Sequence, residues 1–186
     1  MSPTTPSHWP SEITYINSPR YHSSVTKEVR SQLDGAMSPV KTSQPGGRAQ
    51  RPPVVIKRIV EDGHPAKGQF GLFAAKKLQA RQHIIDYVGE VHCDDRPDSD
   101  YDLSLLRLPN GIAVGIDASK AGNEARFIND FRGIADKPNA LFQEGRDDSG
   151  ALSMSVWSGN EPIKKGSEIL VSYGKGFWKA RHSPSE

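Results

Sequence analysis

Cysteine is nearly absent: Cys93 stands alone in 186 residues. A lone thiol excludes an intramolecular disulfide framework and any zinc cluster built on paired cysteines within the chain. Net charge is nearly absent as well. Twenty-four Lys and Arg against 22 Asp and Glu leave +2, so a globally basic, nucleic-acid-gripping surface is not indicated. No apolar run approaches the ~20 residues of a membrane-spanning helix. The N-terminus also lacks the apolar core of a secretory signal, and an intracellular, reducing compartment is the expectation.

Branched aliphatic residues are scarce in residues 1–50, where 20 positions are Ser, Thr or Pro. Such a stretch buries too little apolar surface to offset its chain entropy, so a disordered tail is expected over 1–50. Two islands interrupt it: Trp9 with Ile13, Tyr15 and Ile16, and a short helical pattern around Thr26–Leu33. A solvated tail is preferred here to a docking segment.

After Arg51-Pro52-Pro53, short apolar runs alternate with Gly- and Pro-marked turns. Val54–Val60 reads as a strand, and Lys67–Ala75 as a turn between strands in which Gly68 and Gly71 allow positive φ or close backbone approach. Ile84–Val91 reads as one compact strand. Tyr101–Leu105 and Ile112–Ile116 flank the hairpin signal Pro109-Asn110-Gly111. Asp117–Ile128 holds one short helix, and Leu141-Phe142, Leu152–Trp157 and Glu168–Tyr173 follow as strands. Many short strands with little helix argue a mostly β domain. Five aspartates crowd the loop between Asp94 and Asp102; a solvated loop and a guide for a basic peptide stand level there.

Between these strands lies AGNEARFINDFRGIADKPNA, residues 121–140. An irregular segment of this length inside a compact domain is commonly functional, because its buried backbone needs partners. Phe127, Ile128 and Phe131 argue that it packs. The Asn129 amide, with two donors and two acceptor lone pairs, is equipped to read a ligand edge or cap a crossing chain.

This segment resembles the Arg-Phe-Ile-Asn…Pro-Asn signature of the SET-domain protein lysine methyltransferases. Three further stretches fit that family in the same order: Lys67–Ala74, Tyr87-Val88-Gly89-Glu90, and Glu168–Gly174. Together they cover roughly residues 54–180, and four motifs in register carry more weight than any one.

The resemblance implies a SET-type β-clip fold with short helices and a C-terminal pseudoknot, in which the closing strand threads under the loop containing Arg126–Asn139. It implies S-adenosylmethionine as cofactor, without a metal, and a protein lysine as methyl acceptor, a histone tail being one such substrate and the nucleus one such location. Tyr173 would orient the amine, and Tyr101 would lie near the sulfonium. Gly68, Gln69, Phe70, Gly71, Arg126, Phe127, Asn129 and Asp130 would hold the cofactor or its loop. Phe177 and Trp178 would supply an aromatic wall. No membrane or direct nucleic-acid partner is expected.

One departure bears on this reading. The family has Asn-His-Ser-Cys where this chain has Asn129-Asp130-Phe131-Arg132. Asp130 can reproduce a backbone contact but not an imidazole. A SET-fold module that binds peptide without turnover, and an adaptor whose tail does the work, therefore stay open beside the enzyme.

Overall fold

The computed structural model describes residues 5–34, 52–147, 149–174 and 177–178. The expected disorder of residues 1–4 and 35–50 falls outside them, as does the domain's end near residue 180.

Residues 5–34 are not a solvated tail, which corrects the expectation for that stretch. β1 (Thr14–Tyr15), β2 (Arg20–Tyr21) and α1 (Lys27–Asp34) all lie against the domain. Thr26 Oγ1 accepts the Val29 amide and so caps α1. The i, i+4 pair Val29 and Leu33 is buried at 4% and 1% exposure in the main core. Composition misleads here because the segment needs no core of its own. It borrows one, and each fully buried aliphatic is worth about 1.5–3 kcal/mol.

β3 (Val54–Arg58) pairs antiparallel with β4 (Phe70–Ala74), from Val54 opposite Ala74 to Arg58 opposite Phe70. The strand expected over Val54–Val60 ends early, and Val60 is exposed. The returning chain passes Gly68 at φ 85°, where only glycine sits without strain.

The run expected as one strand over Ile84–Val91 is two, β5 (His83–Tyr87) and β6 (Glu90–His92). Gly89 makes the break. A Cβ there would stand 2.5 Å from the Asp117 carbonyl oxygen, while the Val88 amide leaves the ladder to donate to Asn123 Oδ1. β7 (Asp102–Arg107) and β8 (Ala113–Asp117) form the expected hairpin, with Gly111 at φ 89° in its turn.

β9 (Ala121–Gly122) leads to a 3₁₀ turn, Glu124–Phe127, which is the short helix expected within 117–128. Asn123 caps that turn and donates its amide to Asp86 O, tying the turn to β5. β10 (Asn129–Asp130), β11 (Ala140–Arg146), β12 (Leu152–Ser158) and β13 (Leu170–Val171) complete the order.

The sheets are small: β2-β6-β8-β7, β11-β12-β5, and the pairs β3-β4, β1-β9 and β10-β13. They meet on a common core in which Ile56, Leu72, Leu78, Leu105, Ile116, Val156, Ile169 and Val171 are essentially sealed from solvent.

The closing strand explains the irregular segment. β13 runs parallel to β10, and the Phe131 amide donates to Val171 O. At the other end of loop 131–139, Asn139 turns three of its four polar groups to the closing segment, while its carbonyl accepts the Gly159 N–H. Its amide N–H donates to Leu170 O, its Nδ2 to Glu168 O (2.8 Å), and its Oδ1 accepts the Leu170 N–H (2.9 Å). A strand held by both ends of one loop is the pseudoknot expected from the sequence. Asn139, more than Asn129, is the residue that caps the crossing chain.

Candidate active site

Two cavities flank the crossing. The larger, about 690 Å³, is lined by Gly68, Gln69, Phe70, Tyr101, Arg126, Phe127, Asn129, Asp130, Tyr173, Phe177 and Trp178 among others. The smaller, about 440 Å³, is lined by Tyr87, Tyr101, Phe142, Met154, Tyr173 and Phe177 together with polar residues that include Arg96, Asp100, Asp102 and Arg126. Asp100, Tyr101, Arg126, Tyr173 and Phe177 border both. Eleven of the twelve residues singled out from the sequence thus border one cavity. Gly71 is the exception. It sits in β4, and a Cβ on it would stand 2.6 Å from Glu168 Oε1, so its role is to admit that carboxylate.

Asn129 projects from β10 toward the same carboxylate. Its Nδ2 donates to Glu168 Oε1 (2.8 Å) and, more weakly, to Phe70 O (3.4 Å). Among the described residues no donor reaches Asn129 Oδ1, which leaves that carbonyl for a donor in the cavity. Behind it, the Ala66 amide donates to His64 Nδ1, so Nε2 carries the ring proton and donates to Glu168 Oε2 at 3.0 Å. His64 and Glu168 side chains are each only 9% exposed. This buried chain was missed from sequence, because nothing in local pattern links residues 104 positions apart.

Asp130 is the busiest acceptor of the site. Its Oδ2 accepts the Tyr173 amide (2.7 Å), the Trp178 indole N–H (3.2 Å) and Arg132 Nη1 (2.8 Å); its Oδ1 accepts the Arg132 amide (2.9 Å). Burial works against the charge. The Tyr173 and Arg132 amides, then the indole and guanidinium, outweigh it and hold the carboxyl below its ordinary 3.8. Where the family resemblance expects a histidine, a carboxylate ties the closing strand to the aromatic cap.

Tyr173 follows β13, and its hydroxyl donates to Ile128 O at 2.6 Å. Its ring meets Phe177 edge-to-face at 4.7 Å, and Phe177 meets Trp178 at 5.4 Å. Burial, and then the Asp130 carboxylate, push the Tyr173 phenol above its ordinary 10.0. Burial likewise pushes up Tyr87, whose hydroxyl donates to Tyr101 O (2.7 Å). The Arg126 guanidinium lies 4.1 Å from the centroid of the Tyr101 ring while Nε donates to Ala118 O.

Two of the five aspartates, Asp94 and Asp102, are held in ion pairs, while Asp95, Asp98 and Asp100 are exposed. Arg96 pairs with Glu90, Asp94 and Asp117, and Asp102 pairs with the buried His92. Asp100 and Asp102 also border the smaller cavity. Pro10, Glu12 and Ile13 border the larger one; sequence reasoning missed them, although the apolar island of Trp9, Ile13, Tyr15 and Ile16 was a signal that could have found them.

A sheet-rich fold closed by a knotted strand, with two cavities meeting at a half-buried tyrosine, defines a class. A family model for the SET domain matches residues 69–174, more than half of the chain, and the chain belongs to that family. Among solved structures it is similar to ATXR5 in complex with histone H3.1, at 16% identity and a TM-score of 0.63 over 88% of this chain and 82% of that one. It is also similar to the Polycomb Repressive Complex 2 of Chaetomium thermophilum, at 22% identity and a TM-score of 0.55, over 70% of this chain. The same complex, ctPRC2 bound to S-adenosylmethionine, aligns at 22% identity and a TM-score of 0.52, again over 70% of this chain. The match spans only 17% and 16% of those two Polycomb chains. At these identities the likeness shows the fold. No curated protein sequence matches.

Proposed function

We propose that the chain is an S-adenosylmethionine-dependent protein-lysine N-methyltransferase. The observation that carries this reading is the junction of the two cavities at Tyr101, Arg126, Tyr173 and Phe177. A two-substrate transfer needs such an arrangement, with separate entrances and one shared wall.

The larger cavity has the size of a small-molecule site and fits the cofactor chemically. Asn129 Oδ1 offers an acceptor to an ammonium, and Phe70, Phe127 and Trp178 offer apolar and aromatic surface. When bound there, the cofactor supplies a methyl group already activated on a sulfonium. The chain's own residues have the remaining tasks.

The smaller cavity receives the lysine. Free lysine titrates near ~10.4, so its amine must lose a proton to water before it can attack. Tyr87, Tyr101, Phe142 and Met154 give the cavity an apolar wall that favours the neutral amine, while Asp100 and Asp102 at its border attract the incoming ammonium. Tyr173 does not act as base, since its phenol is held neutral. Its hydroxyl proton is spent on Ile128 O, which leaves the oxygen to accept an amine N–H. Accepting there turns the nitrogen lone pair toward the larger cavity.

The test is radiolabelled methyl transfer from S-adenosylmethionine to a lysine peptide array that includes histone tails. A histone tail is the first choice because the ATXR5 structure contains one, and it would place the activity in the nucleus. Transfer to lysine supports the reading. Cofactor and peptide binding without transfer would instead make this a SET-fold binding module.

A further inference from the structure

The N-terminal segment contributes to the wall of the larger cavity. Pro10, Glu12 and Ile13 line it together with Gln69, Asn129 and Tyr173. The segment's anchors all fall on residues that lead into the site. The Trp9 indole N–H donates to Ile13 O at 2.7 Å and closes a tight turn. The Trp9 ring stands edge-to-face on Phe127 at 5.5 Å, and Phe127 in turn on Phe70 at 5.9 Å; both phenylalanines border the cavity. Downstream, the Thr14 amide donates to Lys120 O and the Ile16 amide to Gly122 O. The Tyr15 hydroxyl reaches both Glu124 oxygens at 3.3 Å, in the turn that carries Arg126 and Phe127.

We infer that residues 9–16 are an integral wall of the cofactor site, so that docking of this segment and uptake of S-adenosylmethionine are one coupled equilibrium. The inference rests on the methyltransferase reading for the identity of the ligand. Its physical basis is the thinness of the attachment. β1 and β9 pair over two residues only, and a strap held by so few bonds sits at the low end of local stability. A ligand that touches the docked strap and the rigid floor holds the strap closed, and by linkage the docked strap holds the ligand with the same factor. Glu12 adds a charge argument. It is the one ionisable side chain that the segment gives to the cavity wall. The cofactor carries a sulfonium and an ammonium against one carboxylate, so a wall carboxylate favours it, more so at low salt.

The experiment uses the full chain. Hydrogen exchange at the Thr14 and Ile16 amides is measured with and without saturating S-adenosylmethionine, and the dissociation constant is measured by calorimetry for wild type, Ile13→Ala and Glu12→Gln. Glu12 is exposed, so its variant keeps the fold even where Ile13→Ala loosens the strap. Ligand is expected to slow exchange at both amides by about tenfold or more. Each substitution is expected to raise the dissociation constant by about three- to tenfold, with the Glu12→Gln effect shrinking as salt rises. Wild type that binds the cofactor with unchanged exchange at Thr14 and Ile16, and variants within about twofold of it, overturn the inference and leave the methyltransferase reading intact. Wild type that takes up no cofactor overturns both.

Discussion

Two straps cross this domain, and they are fastened in different ways. The closing strand is fastened by polar groups: both ends of Asn139, the Phe131 amide, and Asp130 gripping the Tyr173 amide and the Trp178 indole. The N-terminal strap is fastened by apolar burial at its far end, through Val29 and Leu33, and by sparse contacts near the cavity. Hydrogen bonds fix direction, whereas apolar burial supplies cohesion with little angular demand. The strap that carries the candidate catalytic tyrosine is therefore the geometrically specified one. The other is anchored chiefly through α1, and its cavity-side residues 9–16 are the part whose docking the inferred coupling concerns.

The largest effect that tests this contrast is on stability. Leu33→Ala leaves a cavity in the shared core and is expected to cost about 2–5 kcal/mol, read as a fall in the chemical-denaturation midpoint. That expectation reverses the one drawn from composition, under which the whole of residues 1–50 would be dispensable. A Leu33→Ala protein with an unchanged midpoint would show that α1 is peripheral and that apolar burial does not fasten the N-terminal strap.

Next in size is Tyr173→Phe. The ring contact with Phe177 survives and the hydroxyl is lost, so folding and cofactor affinity should persist while turnover falls by about 10²-fold. Steady-state kinetics on the lysine substrate, with Tyr101→Phe beside it, makes the check. Equal losses at the two tyrosines would remove Tyr173 from its special place at the end of the polar strap.

These contrasts also explain what the sequence made legible. Asn129, Tyr173 and the closing strand were marked through the family resemblance, because their motifs stand in register along the chain. Gly68 was marked for positive φ, which it has. Gly71 was rightly marked for close approach, but the approaching group is Glu168 and not a ligand. The N-terminal strap was misread because its burial is borrowed: Trp9, Ile16, Val29 and Leu33 are too few to suggest a core until the domain they enter is known. The part Asp130 plays was hidden too. Its value lies in amides and an indole up to 48 positions away, and no local pattern announces those.

Asn129→Ala is a smaller perturbation of the same wall. It removes the carbonyl offered to the cofactor and one donor to Glu168, and the cofactor dissociation constant should rise by the equivalent of about 1–3 kcal/mol. Calorimetry on a folded variant decides it. Unchanged affinity would confine Asn129 to holding Glu168, leaving the N-terminal strap and the aromatic cap to hold the ligand.

The smallest expected effect is also the most local, and it concerns acid. Asp130 is held below its ordinary 3.8 in the folded chain. A carboxyl with a depressed folded pKa contributes stability that is present above the unfolded value and is lost as pH falls through the folded one. The polar fastening should therefore weaken only below about pH 4, where protonation takes an acceptor away from the Tyr173 amide, the Arg132 side chain and the Trp178 indole. Asp86 and Asp117 are held low as well, so acid also costs the domain stability in general, and a global melt cannot isolate Asp130. The Trp178 indole proton can. Its NMR resonance should shift in that window in wild type, before global unfolding. In Asp130→Asn, where the amide has no proton to gain, the shift should vanish while the general loss remains. The same acid-dependent shift in both proteins would mean that the cap is fastened by its ring contacts and not by the carboxylate, and the two straps would then be held in the same way.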